Sequence, residues 1–163
     1  MSSQLKNLSD FSHTSVPNGA KFKFGIIVAE WNAEITGALY NGALKTLLEN
    51  GVAEKNIYSF PVPGTFELSS AAAILLSNEK SLDAVICLGC VIQGDTKHFD
   101  FICDAVAQGI TNVSIKYSKP VIFGVLTTNN LEQAQDRAGG KHGNKGDEAA
   151  ITAIKMAEFA RSF

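Results

Sequence analysis

The sequence predicts a doubly wound α/β fold, a three-layer sandwich with helices on both faces of a central four-stranded parallel sheet. Four short apolar runs are typical of strands, and segments with the helical period separate them. This alternation gives right-handed crossovers and a parallel sheet. With 163 residues and 45% apolar content, the chain is expected to form a single α/β domain over 21–163 behind a polar N-terminal segment over 1–20.

The first half of the chain predicts two strands and two helices. KFKFGIIVAE (21–30) is apolar enough for a strand covered on both faces. The helical period that follows ends at Asn50-Gly51, a stop typical of a left-handed cap. NIYSFPV (56–62) predicts the second strand, and TFELSSAAAILLS (65–77) predicts a short helix. The apolar stripe of the first helix comprises Ile35, Leu39, Ala43, Leu44 and Leu47.

The second half begins with DAVICLGCVI (83–92), which predicts a central, fully buried strand. A long helix follows, and KPVIFGVLTT (119–128) predicts the fourth strand. At about 100° per residue, the apolar residues of the long helix share one stripe: Phe99, Ile102, Cys103, Val106, Ile110, Val113 and Tyr117.

Two further helices are predicted near the C-terminus. Asn129 and Glu132 resemble a capping box, so a helix is expected to begin there and to end at Gly139-Gly140. The last helix is predicted to begin near Gly146, with Asp147 and Glu148 at its positive end. Its predicted buried residues are Ala150, Ile151, Ile154 and Ala157.

Charge and composition exclude several function classes. The net charge is −2 with both signs mixed along the chain, so we expect no nucleic-acid partner. No window has the length of a membrane span and no secretory signal precedes the domain, so we expect a cytoplasmic protein without a membrane partner. The CLGC spacing lies inside a strand, where residues three apart point to opposite faces. We therefore expect free cysteines and no metal site.

Ligands of such sheets bind at the carboxyl ends of the strands, which draws attention to VIQGDTKH (91–98). If Asp95 caps the next helix, the amides of Gly94, Asp95 and Thr96 form an anion site. His98 then occupies the third helical position, flanks the apolar stripe and faces the crevice, where a neutral imidazole could accept a proton. The alternative is an ordinary turn followed by an exposed histidine.

A second strand end, VPGTFE, places a hydroxyl, an aromatic ring and a carboxylate together at Thr65, Phe66 and Glu67. This set suits a flat polar heterocycle, and Trp31 could close the same pocket. The alternatives are that Phe66 and Trp31 are packing residues and that Glu67 only complements a helix dipole. The glycine-rich link RAGGKHGNKG carries three cations that could hold a phosphate or could simply be solvated: Arg137, Lys141 and Lys145.

Five stretches, GCVIQGDTKHFDF, VPGTFE, PVIFGVLTT, EQAQDRAGGKHGNKGDEAA and AEWN, together resemble the 6,7-dimethyl-8-ribityllumazine synthase family from about Lys21 to the C-terminus. The resemblance implies a flavodoxin-like fold and the penultimate reaction of riboflavin biosynthesis. That reaction condenses 5-amino-6-(D-ribitylamino)uracil with 3,4-dihydroxy-2-butanone 4-phosphate to 6,7-dimethyl-8-ribityllumazine. It releases phosphate and water and uses no metal or organic cofactor.

The resemblance also implies residue roles. His98 matches the proton-transfer residue, Asp95 and Thr96 match the amides that hold the butanone phosphate, and Arg137 matches a residue that grips this phosphate from the neighbouring subunit. Lys145 matches a lysine close to the site. The positions that match the ribitylamino-uracil subsite are Trp31, Thr65, Phe66, Glu67, Cys90, Val91, Ile92 and, from the neighbouring subunit, Phe123.

Some positions depart from the family pattern. Gln93 stands where many relatives carry arginine, Trp31 where phenylalanine is frequent, and Asp95 puts a carboxylate beside the phosphate. We expect the Asp95 side chain to cap the helix and point away from the anion.

The resemblance further implies a homopentamer with the site at the subunit interface. The short GGKHGN link resembles that of the shell-forming members and favours a sixty-subunit icosahedral shell. Riboflavin synthase is a candidate partner. Two alternatives stay open: a flavodoxin-like flavin or lumazine binding protein without turnover, and a shell protein whose site has decayed.

Overall fold

A parallel four-stranded sheet forms the centre of the computed structural model, which describes residues 7–13 and 15–163. The strands are β1 (Phe24–Ala29), β2 (Ile57–Val62), β3 (Ala84–Ile92) and β4 (Val121–Thr128), in the order β2-β1-β3-β4. All neighbouring pairs are parallel. The two central strands are the predicted apolar runs, because a strand covered on both faces needs apolar side chains at every position. The predicted doubly wound fold is thus confirmed.

Five helices accompany the sheet within the described residues: α1 (Ala33–Glu49), α2 (Leu68–Asn78), α3 (His98–Tyr117), α4 (Leu131–Asp136) and α5 (Lys145–Arg161). Helices α1 and α5 pack on one face of the sheet, and α2 and α3 pack on the other. Of the stripe predicted for α3, only Val106 and Ile110 are buried, and the other members are half-buried. Cys90 belongs to the first of these two cores and Cys87 to the second. This confirms that the two thiols point to opposite faces of β3.

The ends of α1 and α5 agree with the sequence. Helix α1 ends at Glu49 with Asn50 as its C-cap, and Gly51 adopts a φ of 90°, the left-handed conformation predicted there. Helix α5 begins at Lys145, and the Asn144 side chain accepts a hydrogen bond of 2.8 Å from the Gly146 N–H. The acidic first turn of Asp147 and Glu148 lies at the positive end of the helix as expected.

The predicted cap of α4 is wrong by one residue. Asn130, whose backbone is extended, accepts from the Gln133 N–H at 2.9 Å, and Gln133 Oε1 accepts from the Asn129 N–H at 2.9 Å. The cap is therefore Asn130, because an extended residue directly before the helix can turn its side chain onto the third helical amide. The Gln133 side chain returns its bond to Asn129 and not to Asn130, so the pair only resembles a capping box. Glu132 has no part in it.

The predicted end of α4 at Gly139-Gly140 is also wrong. The helix stops at Asp136, and a small antiparallel hairpin follows, with β5 (Ala138–Gly140) and β6 (Gly143–Asn144). Gly139 and Gly143 have φ values of 110° and 81°, which a glycine adopts without strain. The glycines of this link thus form a hairpin and do not serve as a helix cap.

Part of the N-terminal segment packs on this hairpin. The Leu8 N–H donates to the His142 carbonyl at 2.8 Å, and the Asn144 N–H donates to Ser9 Oγ at 2.9 Å. The division between 1–20 and 21–163 stays a prediction. No helix in the described part of the chain combines the length and apolar character that crossing a bilayer demands.

Candidate active site

A cleft of about 300 Å³ opens at the carboxyl end of the sheet, between β1, β3, the start of α3 and the turn after β2. This is the edge where ligands of doubly wound folds bind. The predicted site residues that line it are Trp31, Thr65, Phe66, Glu67, Cys90, Val91, Ile92 and His98. The structure thus brings together the heterocycle residues and the proton-transfer candidate. Their roles stay predictions.

The floor of the cleft is the end of β3. Pairing with β1 stops at Leu88, whereas pairing with β4 continues to Ile92, and the Gln93 N–H donates to the Thr128 carbonyl at 2.8 Å. Successive residues of a parallel strand direct their backbone groups alternately to the two neighbours. Cys90 and Ile92 therefore face the side where β1 has ended, so the Ile92 amide and carbonyl present a hydrogen-bonding edge to a ligand.

One wall of the cleft is a 3₁₀ turn over Thr65–Glu67 that leads into α2. Thr65 is buried, and its hydroxyl lies 3.4 Å from the Cys90 carbonyl oxygen. Phe66 is 54% exposed, so the alternative that it is a core residue is wrong. The turn therefore fixes a hydroxyl against β3 and leaves an aromatic ring and the Glu67 carboxylate available to the cleft.

Trp31 lies on the rim of the cleft, directly after β1. It is 72% exposed, which excludes the alternative that it is buried in the packing of this chain. Its backbone N–H donates to the Pro63 carbonyl at 3.2 Å, which ties the end of β1 to the end of β2. The exposed ring is thus held next to the Thr65–Glu67 turn.

The link between β3 and α3 differs from the prediction. Helix α3 begins at His98, with Lys97 as the residue before it and without a side-chain cap, so Asp95 does not cap the helix. The extended chain continues to Gln93, whose Nε2 also donates to the Gly94 carbonyl at 2.8 Å, so the turn falls later than expected. Thr96 Oγ1 accepts from the His98 N–H at 3.4 Å.

His98 consequently occupies the first helical position instead of the third. Its side chain is exposed, lines the cleft and lies at the positive end of a helix of 20 residues. Asp95 and Thr96 are exposed on the link directly before it and do not line the cleft. The expectation that capping would hold the Asp95 carboxylate away from an anion is therefore wrong.

Three predicted residues lie away from the cleft of their own chain. Phe123, in β4, is half-buried among the residues between the sheet and helices α2 and α3. Arg137 follows α4, and its Nη1 donates to the Gln133 carbonyl at 2.9 Å. The Lys145 N–H donates to the Arg137 carbonyl at 2.8 Å. The structure thus brings Arg137 and Lys145 together without bringing either to the cleft.

Two of the three cations in the glycine-rich link form ion pairs. Lys141 pairs with Asp136 at 2.8 Å, and Lys145 pairs with Glu148 at 3.2 Å. Hydrogen bonding to Asp136, with its charge, raises the pKa of Lys141. Within the described residues the Arg137 guanidinium forms no ion pair. Arg137 is therefore the cation most available to an anion.

The cysteines are poor nucleophiles in this environment. Burial raises the pKa of Cys90 to about 11 and that of Cys87 to about 12. Burial, and then the charge of Asp100, raises the pKa of Cys103. With this raised pKa, Cys90 is neutral at physiological pH. Because the thiolate is the reactive form of cysteine, Cys90 is unreactive and contributes only its shape and its backbone to the cleft. Among residues 7–13 and 15–163, no three His, Cys, Asp or Glu side chains converge on a metal-binding position.

Sequence reasoning missed three lining residues, Asn32, Gly64 and Ile102. Ile102 was assigned to the buried stripe of α3, yet it is only half-buried because the stripe runs into the cleft. Asn32 has a φ of 60°, and its Nδ2 donates to the Cys90 carbonyl at 3.0 Å. The available signal was an asparagine directly after an apolar run, since asparagine tolerates left-handed turns.

The fold and cleft define a class: a doubly wound α/β protein with a strand-end cleft lined by two exposed aromatic rings and a histidine. The sequence model of the 6,7-dimethyl-8-ribityllumazine synthase family matches residues 21–161, and the chain belongs to this family.

Curated relatives with that name agree with this assignment. The protein of Cytophaga hutchinsonii is 65% identical over 156 residues, covering 96% of this chain and 97% of the relative. The protein of Porphyromonas gingivalis is 55% identical, covering 99% of both chains. The protein of Parabacteroides distasonis is 52% identical, covering 98% of this chain and 99% of the relative.

Proposed function

We propose that this cleft condenses 5-amino-6-(D-ribitylamino)uracil with 3,4-dihydroxy-2-butanone 4-phosphate to 6,7-dimethyl-8-ribityllumazine, releasing phosphate and water in the penultimate step of riboflavin biosynthesis. The chain is a transferase of this family. The observation that carries the site assignment is the convergence of two exposed aromatic residues, an unpaired strand edge and His98 in one cleft.

The pyrimidine is assigned to the space between the Thr65–Glu67 turn and the end of β3. Trp31 and Phe66 offer exposed rings for a flat heterocycle, and the backbone edge at Ile92 offers a donor and an acceptor to its polar rim. Glu67 can accept hydrogen bonds from the ribityl hydroxyls. This set recognises shape and hydrogen-bonding pattern without any covalent attachment.

Proton transfer is assigned to His98. The substrate amine is the nucleophile, so imine formation, phosphate loss and ring closure need a group that moves protons and a site that holds both reactants. His98 lines the cleft and is exposed, so it can exchange protons with solvent between steps. In its neutral form the imidazole can accept a proton from the substrate and later return it.

The butanone phosphate is assigned to the link before α3, where the Asp95 and Thr96 amides precede a helix start. The link carries no arginine or lysine other than Lys97, and Gln93 is neutral. A further cation is therefore needed. We assign it to Arg137 of a neighbouring subunit, with Phe123 contributed in the same way and Lys145 close by.

Assembly as a homopentamer, and of pentamers into a sixty-subunit shell, is part of this proposal. It is supported by the position of Phe123 and Arg137 away from their own cleft and by large apolar side chains exposed on the sheet edge and on α3. These side chains are Tyr58, Phe60, Phe101 and Ile115. A sedimentation profile with pentamers alone would overturn the shell, and monomers alone would overturn both. A cytoplasmic location and an enclosed riboflavin synthase stay predictions.

The test is a turnover assay on wild type, His98→Gln and Arg137→Ala, with His13→Gln as the control. His13 is an exposed histidine in the N-terminal segment, so its replacement controls for loss of a histidine as such. We expect His98→Gln to lower kcat by about 10²-fold or more and Arg137→Ala to raise the KM for the butanone phosphate. Ligand binding without turnover in wild type, with affinity unchanged in His98→Gln, would instead identify a flavin or lumazine binding protein.

A further inference from the structure

Asn32 has an unusual position at the entrance of α1. It precedes the helix, where an asparagine side chain normally accepts a bond from one of the free amides of the first turn. Here the side chain makes no such bond, and the residue has φ 60° and ψ 46°. Its Nδ2 donates instead to the Cys90 carbonyl at 3.0 Å, 58 residues further along the chain. Helix α1 therefore has no side-chain cap, and the Asn32 side chain is bonded instead to the floor of the cleft.

This bond lies where the sheet opens. Strands β1 and β3 are paired as far as Val28 and Leu88, and beyond that point no backbone ladder joins them. Asn32 bridges the gap and meets Cys90, whose carbonyl is also approached by the Thr65 hydroxyl at 3.4 Å. Three chain segments therefore converge on one buried carbonyl directly before Val91 and Ile92.

The same residue sets the direction of Trp31. The left-handed turn at Asn32 reverses the chain immediately after Trp31, whose N–H is held by the Pro63 carbonyl at 3.2 Å. The Asn32 carbonyl accepts the first bonds of α1, from the N–H groups of Ile35 at 2.9 Å and Thr36 at 3.0 Å. The backbone conformation of Asn32 thus positions Trp31 at the rim, and its side chain is bonded to Cys90 at the floor of the cleft.

We infer that Asn32 is a positioning residue for the heterocycle subsite, acting through the Cys90 carbonyl to hold the strand edge at Ile92 and the Trp31 rim at a fixed separation. The inference rests on the proposed function for the identity of the ligand. The bond ties the two sides of the gap together, so its loss should weaken binding of the pyrimidine and leave binding of the butanone phosphate unaffected.

Two substitutions distinguish the effect of the Asn32 side chain from that of its backbone conformation. Asn32→Gly keeps the left-handed turn without strain and removes the donor. Asn32→Asp keeps the size and the tolerance of that turn and places a carboxylate against a carbonyl oxygen. Asn50→Ala is the matched control, because Asn50 Nδ2 bonds the Thr46 carbonyl at 2.8 Å at the other end of the same helix. This control shows how much the loss of a side-chain hydrogen bond at one end of α1 changes ligand binding when the cleft itself is unaltered.

Two readouts are used. The first is the dissociation constant of 6,7-dimethyl-8-ribityllumazine, followed by quenching of Trp31, which is the only tryptophan of the chain. The second is the KM of each substrate. For Asn32→Gly we expect the dissociation constant and the KM for the ribitylamino-uracil to rise by roughly tenfold. Asn32→Asp should raise both further, whereas the KM for the butanone phosphate should change by less than about twofold in either variant.

The two proposals fail in different ways. A wild type that binds the lumazine without turnover would overturn the proposed reaction, and the dissociation constants would still decide the role of Asn32. If Asn32→Gly binds the lumazine as wild type does, or weakens both substrates equally, or behaves like Asn50→Ala, the inference is wrong.

Discussion

Gly89 of β3 lies directly against Thr65 of the cleft wall. A methyl group on Gly89 would come within 2.8 Å of Thr65 Oγ1 and within 2.9 Å of Leu68 Cδ1. Both neighbours are buried, at 6% and 0% exposure, so neither can move aside freely. The missing side chain at Gly89 therefore lets the turn that carries Phe66 and Glu67 dock on the sheet.

We expect Gly89→Ala to push this turn away from β3. Overpacking at a buried contact of this kind destabilises a protein by about 1–3 kcal/mol, and the KM for the ribitylamino-uracil should rise with it. Urea unfolding and steady-state kinetics measure the two effects. Gly37→Ala is the control, because a methyl group at Gly37 in α1 meets nothing within 4 Å. Unchanged stability and KM in Gly89→Ala would contradict the docking role.

Arg161 and Asp83 join the end of α5 to the amino end of β3. Asp83 is 7% exposed and accepts from Arg161 Nε at 2.8 Å, from Arg161 Nη2 at 3.0 Å and from the Lys23 N–H at 2.8 Å. Arg161→Ala removes two hydrogen bonds from the buried Asp83 carboxylate, and we expect a loss of about 1.5–3 kcal/mol in the free energy of unfolding.

Lys45→Ala is the control for this pair. Lys45 forms an exposed ion pair with Glu49 at 3.7 Å, which should be worth no more than about 0.5 kcal/mol. Urea unfolding of the two variants checks the difference. Since Asp83 lies at the edge of the sheet opposite the cleft, the KM values of Arg161→Ala should equal those of wild type. Equal stability of the two variants would show that the Asp83 contacts contribute little.

The buried thiols predict a dependence of stability on alkaline pH. Burial raises the pKa of Cys87 to about 12, whereas the ordinary value of a thiol is 9.0. The unfolded chain therefore loses this proton first, so the stabilisation is fully present below pH 9 and is lost between pH 9 and about 12. One thiol contributes a slope of up to about 1.4 kcal/mol per pH unit there.

Cys87→Ala removes this contribution. We expect its urea midpoint to be lower than that of wild type at pH 8 and to fall less steeply from pH 9 to 10.5, the other titrating groups being common to both proteins. Parallel curves for the two proteins would mean that Cys87 does not set this dependence.

The proposal that neighbouring subunits share the site predicts that two inactive variants complement each other. His98→Gln and Arg137→Ala subunits, unfolded and refolded together in equal amounts, form some sites with an intact His98 from one subunit and an intact Arg137 from its neighbour. Random mixing in a ring makes these about one quarter of all sites, so activity should recover to about that share of wild type. If the mixture is no more active than the average of the two separate variants, Arg137 does not act in trans.

The sheet and its two cores could be predicted because their signal is local. The run DAVICLGCVI is apolar at nearly every position, which only a strand covered on both faces requires, and the structure makes it β3. The opposite directions of the Cys87 and Cys90 side chains follow from the two-residue period of this strand. The grouping of Thr65, Phe66 and Glu67 at a strand end could be predicted in the same way, although these residues form a 3₁₀ turn before α2 and not the first turn of the predicted helix.

The predictions that were wrong concern features that depend on contacts between residues distant in sequence. The start of α3 is delayed because β4 pairs with Gln93, and nothing within the stretch QGDTKH reports that pairing. The role of Asn32 comes from a bond to Cys90, which no local pattern contains. The hairpin after α4 arises from the conformations of Gly139 and Gly143, since glycine is compatible with both a cap and a turn. The proposed roles of Arg137 and Phe123 involve a neighbouring subunit and rest on family resemblance alone.

The most direct measurement mixes the purified protein with the ribitylamino-uracil and the butanone phosphate and follows lumazine absorbance and phosphate release in one sample. A synthase gives equal initial rates of both products, above the spontaneous rate and strongly lowered by His98→Gln. No product above the spontaneous rate, in a protein that still binds the lumazine, would contradict the assignment of this cleft as the site of condensation.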